Sequence, residues 1–157
     1  MSSTNPATTS NGLIIGADAF VAEWVARRVN CPGVERAEDL GRIAAAVGVC
    51  VNDRLAAGWV YHAPNEVYSS VQVSVAAESR MWAKRHIIAA LLDIAFSRYN
   101  RVYGLVMTSN KLCLRTAKHI GFVTEGVARD CFGHGVNGVC IRMVKAEYMK
   151  LRKTWNV

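Results

Sequence analysis

Hydrophobic and polar positions repeat with a period of two over residues 43–77 and switch to a helical period over 82–99, which divides the chain into a sheet-forming half and a mixed helix-and-strand half. Ala45, Val47, Val49 and Val51 fall on one face. Asn52-Asp53-Arg54 makes a turn, and Leu55, Ala57, Trp59 and Tyr61 alternate on the return, so the spacing predicts a hairpin. A second turn over Ala63-Pro64-Asn65-Glu66 leads into a third strand within 67–77. There Val67, Val71, Val73 and Val75 point one way, and Tyr68, Ser70, Gln72, Ser74 and Ala76 the other. The three strands form an antiparallel meander.

The helix predicted over 82–99 carries Ile88, Leu91, Leu92 and Ala95 on one face and Ile87, Ile94 and Phe96 on its flanks, an apolar arc wide enough to lie on a sheet. Residues 101–107 are β-branched and aromatic and read as a strand, stopped by Thr108-Ser109-Asn110. A helix then begins near Lys111 and ends at Gly121, with Lys118 and His119 in the last turn where cations favour the helix dipole. A strand over 122–132, a glycine-rich connection 133–138, a strand over 139–145 and a basic helix over 146–153 complete the chain. Upstream, Asp18 is placed to cap a helix over 18–30, with Phe20, Val21, Trp24, Val25 and Ala26 as its apolar face. Cys31-Pro32-Gly33 breaks that helix, and 34–42 reads as a loop or short helix. Residues 1–11 are small and polar without periodicity, which predicts a disordered tail before one domain over 12–157.

Composition narrows the class. A chain of 157 residues that is 52% apolar has material for a single core. No run approaches eighteen apolar residues and the N-terminus has no charged-then-apolar order, so the expectation is a cytoplasmic protein without a membrane span. Five cysteines, Cys31, Cys50, Cys113, Cys131 and Cys140, include no Cys-x-x-Cys pair, which points to reduced thiols rather than a disulfide framework or a zinc knuckle. Nineteen Lys and Arg against twelve Asp and Glu leave a net charge of +7. That balance suits an anionic ligand, an acidic protein or a nucleic acid, and equally a charged soluble surface.

Asn110, Gly121-Phe122, Glu125-Gly126 and Arg129, set between a helix and a strand, resemble the second acetyl-CoA motif of the GNAT superfamily of N-acetyltransferases. The arrangement is most similar to the branch containing ribosomal-protein N-terminal acetyltransferases and to short GNAT-like proteins of tailed phages. The likeness covers about residues 13–148. It implies an α+β domain with a mixed, mostly antiparallel sheet of six to seven strands and helices on both faces. It also implies acetyl-CoA as co-substrate, an amine acceptor such as a protein N-terminus, a lysine or a small amine, and a monomer or homodimer without a metal.

The resemblance further implies which residues matter. The pantetheine arm pairs with the backbone of the donor strand, nearest Val73, Val75 and Ala76, and a backbone N–H at the end of that strand would face the thioester oxyanion. The family's glycine-rich pyrophosphate loop is not kept: the nearest fit is Arg85-His86-Ile87-Ile88-Ala89-Ala90, with Ile88 where glycine belongs. Arg80, Lys84, Arg85 and His86 crowd the helix start instead, either binding the phosphates or forming a solvated basic face. Asn110 would reach the pantetheine or cap its helix. The family's thiolate-protonating tyrosine is replaced by Ala117, and the serine used in the N-terminal branch by Cys113, whose position at a helix start suggests a lowered pKa and an acid role, or else simple packing. Gln72 and Ser74 would hold the water that takes the amine proton, with His62, Glu66 and His134 as loop substitutes or plain surface groups, and Glu125 and Arg129 chiefly structural. The other readings are a GNAT-fold binding or structural protein with weak catalysis, and a nucleic-acid-modifying relative.

Overall fold

The computed structural model describes residues 12–157, so the reading of 1–11 as a tail lies outside the described residues. In chain order the elements are β1 (Leu13–Ile14), α1 (Asp18–Ala26), a 3-10 turn (Ala37–Leu40), β2 (Ile43–Val51), β3 (Arg54–Asn65) and β4 (Ser70–Ala77). Then come α2 (Arg85–Phe96), β5 (Arg101–Met107), α3 (Lys111–Ile120), β6 (Val123–Ala128), β7 (Gly138–Val144) and α4 (Lys145–Trp155). The strands form one seven-stranded sheet in the order β1-β2-β3-β4-β5-β7-β6. Every neighbouring pair is antiparallel except β4 and β5, which α2 connects in parallel. The fold is α+β, as expected.

Alternation places one core on each sheet face. Val47, Val49, Trp59, Tyr61, Val71 and Val102 meet Ile88, Leu91 and Leu92 of α2 and Tyr148 of α4 on one side. On the other, Ala46, Val60 and Ala76 meet Val21, Ala22, Val25 and Ala26 of α1. Helix α1 lies close to the strands because Gly58 carries no side chain: a Cβ there would sit 2.5 Å from Val25 Cγ2. Across the larger core the Tyr61 hydroxyl donates to the Leu91 carbonyl at 2.6 Å. The Tyr148 hydroxyl donates to the Ala89 carbonyl and to Asp93, which also holds Arg152 through two contacts, so α4 is tied to α2.

Several expected boundaries move, each for a local reason. The β2–β3 turn is tighter than three residues: Asn52 and Asp53 both take positive φ (51° and 60°), as a two-residue hairpin loop requires. Ala63-Pro64-Asn65 is strand rather than turn, because a pairing irregularity between His62 and Asn65 absorbs the proline that a regular ladder would reject. The turn therefore falls at 66–69, and Val67 and Tyr68, expected within the strand, are 88% and 78% exposed. Asp18 does not cap α1, whose N-cap is Ala17, and Phe20 is 59% exposed rather than packed. Helix α1 stops at Ala26, four residues early, where Arg28 turns back to stack over Trp24 at 4.1 Å and to pair with Glu78.

Helix α2 starts at Arg85 rather than 82 because Trp82 is buried edge-on against Trp59, centroids 5.9 Å apart, and pins the preceding turn. Strand β6 ends at Ala128 rather than 132, since Asp130 takes a positive φ and accepts the Gly135 N–H, closing the connection early. Helix α3 matches expectation at both ends. Asn110 caps its start through the Cys113 N–H, and Gly121 (φ 120°) ends it while Phe122 donates back to the Ala117 carbonyl.

Candidate functional site

The site follows from the single parallel pair. Strands β4 and β5 pair only at Ser70 with Arg101, Val71 with Val102 and Gln72 with Tyr103. Beyond Gln72 they diverge, although β4 runs on to Ala77 and β5 to Met107. The β4 backbone from Val73 to Ala77 thus has a ladder partner on its β3 side and, among the described residues, none on its β5 side. Gly104 marks the narrow end of the gap: a Cβ there would lie 3.3 Å from the Val73 carbonyl oxygen. An extended ligand carrying amides can add to such an edge as a strand would.

The basic start of α2 follows that edge in the chain. Its N-cap, Lys84, has extended backbone and caps nothing with its side chain, and no acidic residue lies in the first turn. Arg80, Lys84, Arg85 and His86 are exposed, and none of the three cations Arg80, Lys84 and Arg85 has an ion-pair partner among the described residues. Open N–H groups, the positive helix end and exposed cations together form an anion-attracting surface. A small cavity of about 80 Å³ opens beside it, lined by Val51, Met81, Trp82, Lys84 and His86 among others.

The divergence also sorts the donor-strand side chains. Val73 and Val75 turn to the α2 core, and Ala76 is buried beneath α1. Gln72 and Ser74 share the α1 face with Ala76 and are half-buried. Tyr103, the register partner of Gln72, stands on that same face at the start of the gap. So does His62, which pairs with Gln72 across β3 and β4. Its Nε2 lies 2.9 Å from Ser74 Oγ. His62 is not on a loop but within β3, only 5% exposed. Sequence reasoning placed it outside the sheet because Pro64 signalled a turn, and it passed over Tyr103 altogether; strict alternation carried through Ala63 would have found His62.

Of the helical candidates, Asn110 spends its Oδ1 on capping α3, which leaves its amide N–H₂ free. Cys113 is half-buried against the larger core, and burial pushes its thiol up, not down as a helix start alone would. Ala117 is packed in the core. Glu125 forms a two-contact pair with Arg101, at 3.1 and 2.6 Å, that holds its carboxyl below the usual range, so this motif acid is engaged structurally. Glu66 is engaged with Arg42 in an exposed pair at 2.7 Å, just beyond the end of β3.

No protein-family model and no curated protein sequence matches the chain. Solved structures do. The dodecameric spermidine N-acetyltransferase from Vibrio cholerae in an intermediate state is 18% identical, with 68% of each chain covered and a TM-score of 0.59. The spermidine/spermine N-acetyltransferase SpeG of the same organism, in complex with manganese ions, is likewise 18% identical over 68% of each chain, with a TM-score of 0.58. A probable acetyltransferase is 23% identical over 65% of this chain and 61% of its own, with a TM-score of 0.54. What these likenesses carry is the fold, and the fold is that of GNAT acetyltransferases.

Proposed function

We propose that the chain is an acetyl-CoA-dependent N-acetyltransferase that passes the acetyl group directly to an amine. The observation that carries this reading is the loss of β4–β5 pairing after Gln72, immediately upstream of an uncapped, cationic helix start. In it the pantetheine amides of acetyl-CoA pair with the free edge of Val73 to Ala77, and Asn110 reaches the same arm with its free amide. Arg80, Lys84, Arg85 and the α2 N-terminus take the phosphates, replacing the glycine-rich loop with side-chain charge.

Chemistry then needs a neutral amine, a donor for the oxyanion and an acid for the departing thiolate. A β4 backbone N–H at the start of the gap serves the oxyanion, a donor whose loss typically costs about 10²–10³ in rate. Gln72 and Ser74 order the proton route on the acceptor side. Cys113 supports the acid role because burial keeps its thiol protonated, as a proton donor must be. A free protein or peptide N-terminus is the acceptor class proposed, in line with the N-terminal branch and phage-like proteins that the motif resembles. Five cysteines, none in a disulfide, suit a reducing cytoplasm, and among the described residues no helix is long and apolar enough to cross a membrane. Ile88 and Ala117 favour a second reading, a GNAT-fold binding protein whose catalysis is weak, since they stand where the family has its loop glycine and its acid.

Titration calorimetry with CoA and acetyl-CoA tests the proposal. Binding in the micromolar range, on the order of −8 kcal/mol, is expected. Absence of heat for both ligands at millimolar concentration would remove the enzyme reading and leave the structural one.

A further inference from the structure

We propose that His62 is the proton acceptor behind Ser74, so that the Ser74 hydroxyl takes a proton from the acceptor ammonium while passing its own to Nε2 of His62. The inference rests on the acetyltransferase reading and assigns its missing base. Its ground is the geometry. An imidazole nitrogen 2.9 Å from a serine oxygen, with the imidazole buried and the serine half-buried, is the arrangement of a base and the hydroxyl it activates. Core histidines of purely structural purpose usually satisfy both ring nitrogens, yet here Nδ1 is buried with no hydrogen-bond partner among the described residues. In the tautomer that carries its proton on Nδ1, Nε2 is the acceptor, and the Ser74 proton points at the ring with the serine lone pairs outward.

The step balances without another reactant. One N–H bond of the ammonium breaks and its electron pair becomes the nucleophile's. The proton joins Ser74 Oγ while the serine proton joins His62 Nε2. The freed nitrogen pair bonds the thioester carbon, the C–S bond breaks, and the nitrogen's second proton goes to the departing thiolate, either directly or by way of Cys113, which gives its own proton to the thiolate and is reprotonated by the nitrogen.

The surroundings keep His62 neutral. Burial depresses its pKa, opposed in part by the Leu40 backbone, and no charged side chain contributes. Apart from Asp18 at the start of α1, the charged groups of the 3-10 turn and α1 and the Arg42–Glu66 pair beside β3 are otherwise engaged. Asp39 of the 3-10 turn accepts from the N–H groups of Glu35 and Arg36, Arg42 pairs with Glu66, and on α1 Glu23 pairs with Arg27 while Arg28 pairs with Glu78. Strand β4 itself carries no ionisable side chain. A neutral imidazole of this kind is better matched to an α-ammonium, with a pKa of about 8, than to an alkylammonium near about 10.4.

Two measurements on the full chain decide the matter. Nitrogen-15 NMR of the histidine rings should find His62 protonated on Nδ1 and bare on Nε2 at pH 7, with a titration that shifts in Ser74→Ala. The reverse tautomer, or a titration blind to Ser74, overturns the proposal. Acetyl transfer to a lysine-free peptide with a free α-amine should show kcat/KM falling below the His62 pKa. His62→Gln and Ser74→Ala should each lose that acidic limb and about 10–10² of rate, with CoA affinity kept, and Ser74→Thr should restore the limb. An acidic limb unchanged in either variant assigns His62 to packing. Failure of the parent to bind CoA defeats the acetyltransferase reading instead, and the calorimetry separates the two cases.

Discussion

At Cys113 two effects of position oppose each other. The start of α3 favours a thiolate through the helix dipole, but the side chain packs against the core, and its pKa moves upward with desolvation as the cause. The thiol is therefore protonated at neutral pH and slow toward alkylating reagents, its rate rising as pH climbs through the raised value. If CoA lies in the β4–β5 gap, bound CoA lowers that rate further, which mass spectrometry of the Cys113 peptide will read. Cys113→Ala should cut kcat by about 10²-fold with KM little changed if the thiol protonates the leaving group, and Cys113→Ser should keep part of the rate. Equal alkylation with and without CoA, together with an alanine variant as fast as the parent, would return this residue to packing alone.

Among elements, α3 was the most legible in the sequence because everything that bounds it is local. Asn110 caps three residues ahead and Gly121 supplies a positive φ at the other end. The β4–β5 gap is the opposite case. It consists of hydrogen bonds that are not made, and side-chain periodicity carries no record of pairing between strands separated by a helix, so only a resemblance placed it. The basic start of α2 lies between these extremes: the residues were evident, and their meaning depends on what they face. Replacing Lys84 and Arg85 together with Ala should weaken CoA binding about 10-fold at low ionic strength. The loss should shrink by 1 M salt, where screening shortens the reach of exposed charges to about 3 Å. Calorimetry at two salt concentrations, repeated with dephospho-CoA, reads both the effect and the phosphate responsible. Unaltered affinity at low salt would mean that these cations serve solubility.

On the scale of the whole molecule, six of the seven strands and the helices between them were legible because alternation and helical period survive any error of a few residues at element ends, while the two-residue β1 is too short to leave a pattern and the sheet's full count came from the resemblance. The placement of His62 was not, since a proline in a bulge and a proline in a turn look alike until the partner strand is seen. The same sheet sets the mechanics. Two cores lie on its opposite faces, one beneath α1 and one beneath α2 and α4, and they share β2, β3 and β4. Neither core can open without exposing the reverse of strands that the other needs, and Gly58 lets α1 approach until Val25 meets the strand backbone. One cooperative transition is therefore expected despite two apolar clusters. Native-state hydrogen exchange provides the test: the amides of Val25 in α1 and Leu91 in α2 should open with the same free energy and the same denaturant dependence. An α1 amide that exchanges through a smaller opening, well before Leu91, would identify the α1 layer as a separate unit able to lift from the acceptor face.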